Sequence, residues 1–326
     1  MITRHRLETV AKESGFRPAV VEKVLRLCHI LRRLDSHPTT EGKWLLKGGT
    51  ALNLLHLDVP RMSVDIDLNY VGAADREGML TERPGFEAAL VSICEREGCA
   101  VKRMPNEHAG GKFRLRFASV VGGSQNLEVD VSYVARVPLL GTERLATRFP
   151  EDDAVEVTTL PLMELAAGKF TALMQRSVPR DAFDAANLLR QAPDLLEQAD
   201  FRLAFVCSLA GGRHDPRELA PVDPEPTRLA VGQQLIPMLQ ERGATHSQSL
   251  DPEVWRQQLQ EALAGVAARL IHWSPNEIVF LNRLHDEGEV DASILHSDPE
   301  VQQRIRTQPM LLWKAQNVRR HRKGAS

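Results

Sequence analysis

The chain has 326 residues, of which 43% are hydrophobic and 26% are charged, a composition typical of an ordinary globular protein long enough for two domains. Its formal net charge of −2 is near zero, so any contact with nucleic acid has to come from a local basic face. The four cysteines form no CxxC pair and the histidines show no zinc-binding spacing, which argues against a structural zinc site or a disulfide framework.

The N-terminal stretch MITRHRLETVAKESGF carries charges where a signal peptide needs an apolar core. No run of about eighteen uncharged apolar residues occurs in the chain, so we expect no membrane span. On both grounds the sequence predicts a cytoplasmic protein.

The first predicted element is an amphipathic helix over residues 18–34, where apolar side chains recur at helical spacing. Residues 44–57 follow as a short apolar strand, a turn at Gly48 and Gly49, and a segment whose composition favours helix. The order predicted for this part of the chain is therefore strand, glycine turn, helix.

A second strand is predicted from Met62 to Tyr70, because apolar and polar residues alternate strictly there. Its polar face carries Asp65 and Asp67. A helix is expected near residues 84–97, and two further strands flank the turn-like sequence GGSQ as a hairpin, the second of them bearing Asp130.

The pattern changes near residue 150, and from residue 160 onward the chain reads as helices. A proline-rich polar segment at residues 212–227 is predicted to be a loop, and further helices are expected at residues 252–271 and 275–287. The last 26 residues contain seven lysines or arginines and no acid. Such a terminus is suited to RNA phosphates, although a charged end is more often only solvated and mobile.

Two aspartates at positions i and i+2 of a strand lie on one face, with their Cα atoms roughly 6.5 to 7 Å apart. Asp65 and Asp67 could therefore reach the same divalent cations, and Asp130 from a neighbouring strand would complete an all-oxygen site of the kind that Mg²⁺ prefers. Such ions activate an attacking hydroxyl and hold a departing pyrophosphate. The pattern thus indicates phosphoryl-transfer chemistry.

The glycine turn offers a seat for phosphates. Gly48 and Gly49 allow close approach of the backbone, and the first turn of the following helix has free N–H groups and the positive end of the helix dipole. Thr50 could add a hydroxyl donor.

Each part of this pattern has an ordinary explanation when taken alone. A glycine pair occurs wherever a strand meets a helix tightly, and alternating aspartates often mark only a solvated face. Glu128, on the same face as Asp130, shares this ambiguity. The occurrence of all the parts in this order is far more specific than any one of them.

The sequence KGGTAL followed by R-x-S-x-D-I-D resembles the nucleotidyltransferase toxins of the AbiEii/AbiGii type, a branch of the polymerase-beta-like minimal nucleotidyltransferase superfamily. That superfamily has a Gly-Ser or Gly-Gly turn, a DxD or DxE strand and a third acid on a later strand. The turn corresponds to Gly48 and Gly49, and the acids to Asp65, Asp67 and Asp130.

Further matches extend the resemblance along the chain. Arg61 and Ser63 fall where the AbiEii branch has its Arg and its Ser or Thr. The family's helical lysine corresponds to Lys169 in AAGKFTALMQR, and its R-D-x-x-D-L-like segment corresponds to PRDAFDAANLL, with Arg180, Asp181 and Asp184 and with an alanine in place of the leucine.

These helical residues also have plainer interpretations. Lys169 could extend its ammonium to water from an apolar helix, and Asp181 could be a first-turn acid favoured by the helix dipole after Pro179. Asp184, one turn later, has no such explanation. Gly168 is unfavourable inside a helix by about 1 kcal/mol, and a close backbone approach would account for it.

The resemblance implies a fold and a division into domains. We expect an α/β nucleotidyltransferase domain of the polymerase-beta-like type, with a small mixed sheet and N-terminal helices, over residues 1–150. A mostly α-helical domain over residues 151–326 is expected to complete the active-site cleft.

The resemblance also implies roles for the matched residues. Three acids are expected to be both catalytic and metal ligands, namely Asp65, Asp67 and Asp130. Two residues of the helical half are expected to be catalytic as well, Lys169 and Asp184. The expected nucleotide-binding residues are Gly48, Gly49, Thr50, Arg61, Ser63, Lys169 and Asp181.

By the same resemblance the chain is a toxin of a toxin–antitoxin or phage-defence (abortive infection) system. It would transfer a nucleoside monophosphate from an NTP, with Mg²⁺ or alternatively Mn²⁺, to an acceptor that we expect to be a tRNA 3′ end. A cognate antitoxin would be encoded separately. Two other hypotheses stay open: a protein hydroxyl as the acceptor, so that the enzyme AMPylates its target, or a catalytically silent nucleotide-binding protein on the same fold.

Overall fold

The computed structural model describes residues 2–104, 110–241 and 251–324. The chain divides into two compact units. Unit 1 comprises Met1–Arg136, Thr142–Leu160 and Gly232–Asp251, and unit 2 comprises Val137–Gly141, Pro161–Val231 and Pro252–Ser326. The predicted boundary near residue 150 falls within a segment of unit 1, and the last two residues of the basic C-terminal segment lie outside the described residues.

Unit 1 is built on a mixed sheet. Its strands are β1 (Trp44–Leu46), β2 (Ile66–Tyr70), β3 (Ala100–Met104), β4 (Gly110–Ala118), β5 (Ser124–Ser132), β6 (Glu143–Ala146) and β7 (Glu156–Thr159). The seven strands lie in the order β3-β4-β5-β2-β1-β7-β6. The pairs β2–β5 and β1–β7 are parallel and the other neighbours are antiparallel.

The helices of unit 1 follow the predicted order. They are α1 (Arg4–Ser14), α2 (Pro18–Ser36), α3 (Gly48–Ala51), which continues as a π-helical turn (Leu52–His56), and α4 (Arg76–Arg96). Three predictions are thus confirmed: the amphipathic helix, the β4–β5 hairpin, and the order of strand, glycine turn and helix over residues 44–57. Helix α4 begins earlier than predicted, because the Asp75 side chain caps it by accepting a hydrogen bond from the Gly78 N–H. Pro84, the predicted start, lies inside the helix.

One face of β4 forms part of the core. Phe113, Leu115 and Phe117 are all at most 2% exposed. Arg26, on α2, lies over the Phe117 ring with its guanidinium carbon 4.2 Å from the centroid. The residues that alternate with them, Lys112, Arg114 and Arg116, therefore point to the opposite face, because side chains alternate along a strand.

The predicted strand from Met62 is shorter in the structure. β2 begins only at Ile66, so Asp65 lies one residue before it, although the expected burial of Met62 and Val64 is found. The backbone N–H of Met62 donates to the carbonyl of Met238 instead of to a strand neighbour. β3, β6 and β7 were not predicted, since they are short and their residues show little apolar alternation.

Unit 2 has no strand among its described residues and consists of helices and the loops that join them. Its helices are α5 (Leu162–Gln175), α6 (Pro179–Gln191), α7 (Ala199–Ala210), α8 (Arg228–Ala230), α9 (Pro252–Ala262), α10 (Val266–Leu270), α11 (Pro275–Asn282), α12 (Pro299–Arg306) and α13 (Pro309–Gly324). An aromatic cluster joins α5 to α7, with the rings of Phe170 and Phe201 5.5 Å apart and those of Phe201 and Phe205 5.8 Å apart.

The sheet of unit 1 and the helices of unit 2 confirm the predicted α/β fold class with a mostly helical second part. The basic C-terminal segment was expected to be solvated and mobile, but it is helical, because α13 extends to Gly324. Within the part of the chain that the structure describes, no helix combines the length and apolarity needed to cross a membrane.

Candidate active site

The glycine turn and the acidic segment are bonded directly to each other. The backbone N–H of Lys47 donates to the Asp67 carbonyl at 2.9 Å. The hydroxyl of Thr50 donates to the Asp65 carbonyl at 2.5 Å. These two bonds clamp the start of α3 onto the residues just before and within β2, so the two motifs of the sequence form one local structure.

Gly48 is required at its position for two reasons. Its φ of +70° lies in the left-handed region that side chains other than glycine rarely adopt. A Cβ atom there would also lie 2.3 Å from Oδ2 of Asp67. The Asp67 carboxylate thus packs against the backbone of the turn, and only glycine leaves room for it.

The first turn of α3 has no side-chain cap, since Lys47 at the N-cap position makes no such hydrogen bond. The initial N–H groups of a helix lack partners within the helix and favour anions. Gly49 and Thr50 belong to this turn. The turn therefore has the properties expected of a phosphate seat beside Asp67.

The strand register brings two of the predicted acids together. Asp67 on β2 is the direct partner of Asp130 on β5 in the parallel ladder. Neighbouring strands lie about 4.8 Å apart, and directly paired residues present their side chains on the same face. Both residues are partly exposed.

Lys112 is a residue of this site that the sequence analysis missed. It is the direct partner of Asp130 on the other side, in β4. Its ammonium lies 2.6 Å from Oε2 of Glu128, and that hydrogen bond is the main reason why the pKa of Lys112 is raised, with smaller contributions from Asp130 and Asp65. The signal available in the sequence was the alternation of basic and apolar residues in KFRLRF.

Glu128 is neutralised by cations. Besides Lys112 it pairs with Arg114, whose Nη2 lies 3.1 Å from Oε1. The hydrogen bond from Lys112 is the largest of the effects that lower the pKa of Glu128, although partial burial opposes them. Of the two acids that the sequence left open on this strand, Asp130 is the one placed beside Asp67.

Arg61 and Ser63 are buried, with 2% and 5% of their surfaces exposed. One terminal nitrogen of Arg61 donates to the carbonyl of Met62 at 3.0 Å. This burial fits a role in holding the segment that precedes Asp65. Their expected contact with a nucleotide stays a prediction.

The predicted residues of unit 2 form a buried ionic cluster. The ammonium of Lys169, on α5, lies 2.7 Å from Oδ1 of Asp181 and 2.9 Å from Oδ2 of Asp184, both on α6. Arg176 lies 2.9 Å from the other oxygen of Asp181. Lys169 is 9% exposed, Asp181 3% and Asp184 0%.

This geometry overturns the plainer interpretations of these residues. Lys169 does not extend to water but ends between two carboxylates, and Asp181 is an ion-pair partner rather than a simple first-turn acid. The expected close approach at Gly168 is also not found, because a Cβ there would meet no described protein atom within 4 Å.

The three carboxylates expected to hold a metal are Asp65, Asp67 and Asp130. Among the residues that the structure describes, no group of three or more His, Cys, Asp or Glu side chains is already gathered around a possible metal position. The donor chemistry fits a hard cation, because all the ligands offered are carboxylate oxygens. Asp67 and Asp130 stand side by side, and Asp65 precedes β2 by one residue.

Comparison with known proteins places these observations in a family. A family model described as "Nucleotidyl transferase AbiEii toxin, Type IV TA system" matches residues 29–274, well over half of the chain. The fold is similar to that of MenT4, a nucleotidyltransferase toxin from Mycobacterium tuberculosis H37Rv, with a TM-score of 0.56 and 16% identity over 96% of this chain and 99% of that chain. No curated protein sequence matches.

A lower similarity relates the chain to JHP933 from Helicobacter pylori, with a TM-score of 0.46 and 18% identity over 79% of this chain and 93% of that chain. At these identities structural likeness shows fold alone, so the sequence match over residues 29–274 carries the assignment. The resemblance drawn from the motifs is confirmed. The chain belongs to the AbiEii family and is a nucleotidyltransferase toxin of a type IV toxin–antitoxin system.

Proposed function

We propose that this toxin transfers a nucleoside monophosphate from an NTP to the 3′ end of a tRNA, in a reaction that depends on Mg²⁺. The observation that carries the proposal is the pairing of Asp67 with Asp130 beside the Gly48 turn. It puts two carboxylates and an uncapped helix start next to each other. Nucleotidyl transfer requires this combination, a place for cations beside a place for phosphates.

Asp65, Asp67 and Asp130 would hold the metal ions, with Mn²⁺ as the alternative to Mg²⁺. When bound, such ions lower the pKa of an attacking hydroxyl and offset the negative charge of the triphosphate. In this proposal Asp130 also accepts the proton of the acceptor hydroxyl. Gly48, Gly49 and Thr50 bind the triphosphate through backbone N–H groups in this proposal. The expected hydroxyl contact from Thr50 is given up, because that hydroxyl is buried and donates to the Asp65 carbonyl.

Arg61 and Ser63 support the nucleotide side of the site by holding the segment before Asp65. In unit 2 the expected role of Lys169 is to offset charge on the triphosphate, while Asp184 orients the nucleotide or acceptor and Asp181 supports nucleotide binding. The ion pairs of Lys169 with both acids hold its ammonium in one position. In the structure this charge is already paired with the two carboxylates, so a transfer assay on folded Lys169 variants tests the expected role.

The biological part of the proposal follows from the family. The chain would arrest growth, as in abortive infection, by disabling tRNA in the cytoplasm, and a separately encoded cognate antitoxin would prevent this.

The test is to incubate the purified protein with each radiolabelled NTP, Mg²⁺ and either total tRNA or lysate protein. We expect label on tRNA with at least one NTP, and none when Mg²⁺ is chelated. Label on protein instead would replace the acceptor by a protein hydroxyl. No transfer to either acceptor would leave the chain as a nucleotide-binding protein without this activity.

A further inference from the structure

The sheet face that carries Asp67 and Asp130 continues outward as a group of cations. On β4, Lys112, Arg114 and Arg116 alternate with the buried core residues of that strand. On β3, Lys102 is the direct partner of Arg114. We call these four residues, Lys102, Lys112, Arg114 and Arg116, the basic strip.

The register connects the basic strip to the acids. Lys112 is paired with Asp130, which is paired in turn with Asp67. Strand spacing therefore puts the backbone of Lys112 about 5 Å from that of Asp130 and about 10 Å from that of Asp67. From Lys112 the strip extends along β4 by about 7 Å at Arg114 and about 14 Å at Arg116.

The positive charge of the strip is only partly compensated. Glu128 pairs with Lys112 and Arg114. Within the described ranges 2–104, 110–241 and 251–324, no carboxylate pairs with Lys102 or Arg116; Arg116 instead donates to the Ser124 hydroxyl at 3.3 Å.

The strip is also exposed and unfavourable for the sheet itself. The side chains of Lys112 and Arg114 are 38% and 48% exposed, and those of Lys102 and Arg116 are exposed as well. Like charges directly opposite each other, as in Lys102 and Arg114, destabilise a sheet. An anionic ligand would relieve this repulsion.

Resting on the function proposed above, we propose that the basic strip binds the phosphate backbone of the acceptor RNA and leads its 3′ end to Asp67 and Asp130. The strip starts beside the acids, where the attacking hydroxyl has to lie, and continues away from them by a length that several phosphates can occupy. A triphosphate is too short to contact the whole strip from a position at Gly48.

A single-stranded RNA end fits this face better than a protein partner does. Protein interfaces have a core of aromatic and other large apolar residues and are depleted of lysine. Among the described residues, the apolar neighbours of the strip on the same face are the exposed Ala100 and Ala118 and the partly exposed Met104, which is the partner of Lys112. One larger side chain at the end of the strip does not form the apolar core of a protein interface. Phosphate contacts by lysine and arginine require no such anchor.

The experiment measures binding, not transfer, so that it is independent of the acceptor chemistry. The variant is Lys102→Gln/Arg114→Gln/Arg116→Gln, which leaves Lys112 beside Asp130 unchanged. Fluorescently labelled total tRNA and labelled NTP are titrated separately against the wild-type protein and the variant at several salt concentrations, beside a melting curve.

We expect the variant to bind tRNA at least tenfold more weakly at low salt, with unchanged NTP affinity. Its melting temperature should not fall, because the substitutions remove the repulsion between Lys102 and Arg114. The slope of log K against log salt should become less steep by about 2, since each lost phosphate contact removes about 0.7 for a single strand.

A matched control removes the same charge elsewhere in unit 1. Arg4, Lys12 and Arg96 are exposed residues of α1 and α4. The triple variant Arg4→Gln/Lys12→Gln/Arg96→Gln should keep the wild-type tRNA affinity. If the control loses as much affinity as the strip variant, general charge and not the strip attracts the RNA.

The remaining outcomes are equally decisive. Unchanged tRNA binding in the strip variant, or no tRNA binding by the wild type, overturns the proposal. A parallel loss of NTP binding would assign the strip to the triphosphate. Labelled polyglutamate is titrated in the same way as a third probe, and a loss of binding confined to it would assign the strip to an acidic protein. If tRNA binding depends on the strip but no nucleotide is transferred to tRNA, the strip stands and the proposed reaction fails.

Discussion

Asp67 lies directly opposite Asp130 on adjacent parallel strands, and its carboxylate occupies the space that a side chain at position 48 would need. Two acids that are far apart in the sequence are thereby fixed on one face beside the glycine turn. This arrangement distinguishes Asp130 from Glu128, whose carboxylate forms ion pairs with Lys112 and Arg114.

The first prediction concerns the choice of acids. Asp67→Asn and Asp130→Asn keep the side-chain shape and remove the charge, so transfer should fall by orders of magnitude while the melting temperature stays close to that of the wild type. Mg²⁺-dependent transfer of labelled nucleotide measures the effect. Glu128→Gln is the matched control, and it should remain active. A dead Glu128→Gln beside an active Asp130→Asn would reverse the assignment on β5.

The second prediction isolates the contact at the glycine turn. Gly48→Ala should abolish transfer and destabilise the protein, because the new Cβ displaces the Asp67 carboxylate. Gly42→Ala is the control, since Gly42 has a similar φ of +67° but nothing within 4 Å of a Cβ. Both variants have backbone strain of about 1 kcal/mol or more. Equal effects of the two substitutions on the free energy of unfolding would mean that the contact with Asp67 contributes nothing.

The third prediction concerns the ionic cluster of unit 2. Lys169→Met leaves two nearly inaccessible carboxylates without their shared ammonium, so we expect the free energy of unfolding to fall by about 3–5 kcal/mol. Asp181→Ala should also be strongly destabilising, because it removes the partner of Lys169 and Arg176. Urea denaturation of the purified variants measures both effects.

Arg176→Gln serves as the control for this cluster. The Arg176 side chain is 63% exposed, so its loss should change stability by less than about 1 kcal/mol. To separate catalysis from folding, transfer is assayed at a temperature where each variant is fully folded. A folded Lys169→Met protein with wild-type turnover would show that the cluster acts only as a scaffold.

The fourth prediction concerns the cysteines, all four of which are free and buried. Burial raises the pKa of the Cys28 and Cys207 thiols to about 12 and also raises the pKa of Cys94 and Cys99. Because the thiolate is the reactive form, a thiol reagent at pH 8 should label the native protein very slowly and label four cysteines after denaturation. Rapid labelling of the native state would contradict this burial.

The same shifts determine a pH dependence of stability. In the unfolded chain a cysteine loses its proton near pH 8.5, whereas Cys28 and Cys207 in the folded protein keep theirs until about pH 12. Their contribution to stability is thus complete below about pH 8.5 and is lost as the pH rises toward 12. The urea midpoint should therefore be lower at pH 10 than at pH 8. Replacing both cysteines by alanine should make this difference between the two pH values smaller.

The sequence by itself determined the features that depend on local periodicity. The helical spacing of α2 and the alternation along β4 and β5 predicted these elements and the faces of their residues. The alternation also predicted Asp65 and Asp67 on one face of a strand, but β2 begins only at Ile66, so the shared face of Asp65 stays a prediction. The order of motifs was specific enough to identify the family. A side chain's face follows from a period of two or 3.6 residues, which a short stretch contains in full.

Only the tertiary structure decided which residues of different elements meet. The pairing of Asp67 with Asp130 depends on a parallel register between strands far apart in the chain, and a shift of one residue would have turned one acid to the other face. The ion pairs of Lys169 with Asp181 and Asp184 arise because α5 and α6 pack together. Such contacts depend on burial and charge neutralisation across elements, and no local pattern of the sequence encodes them.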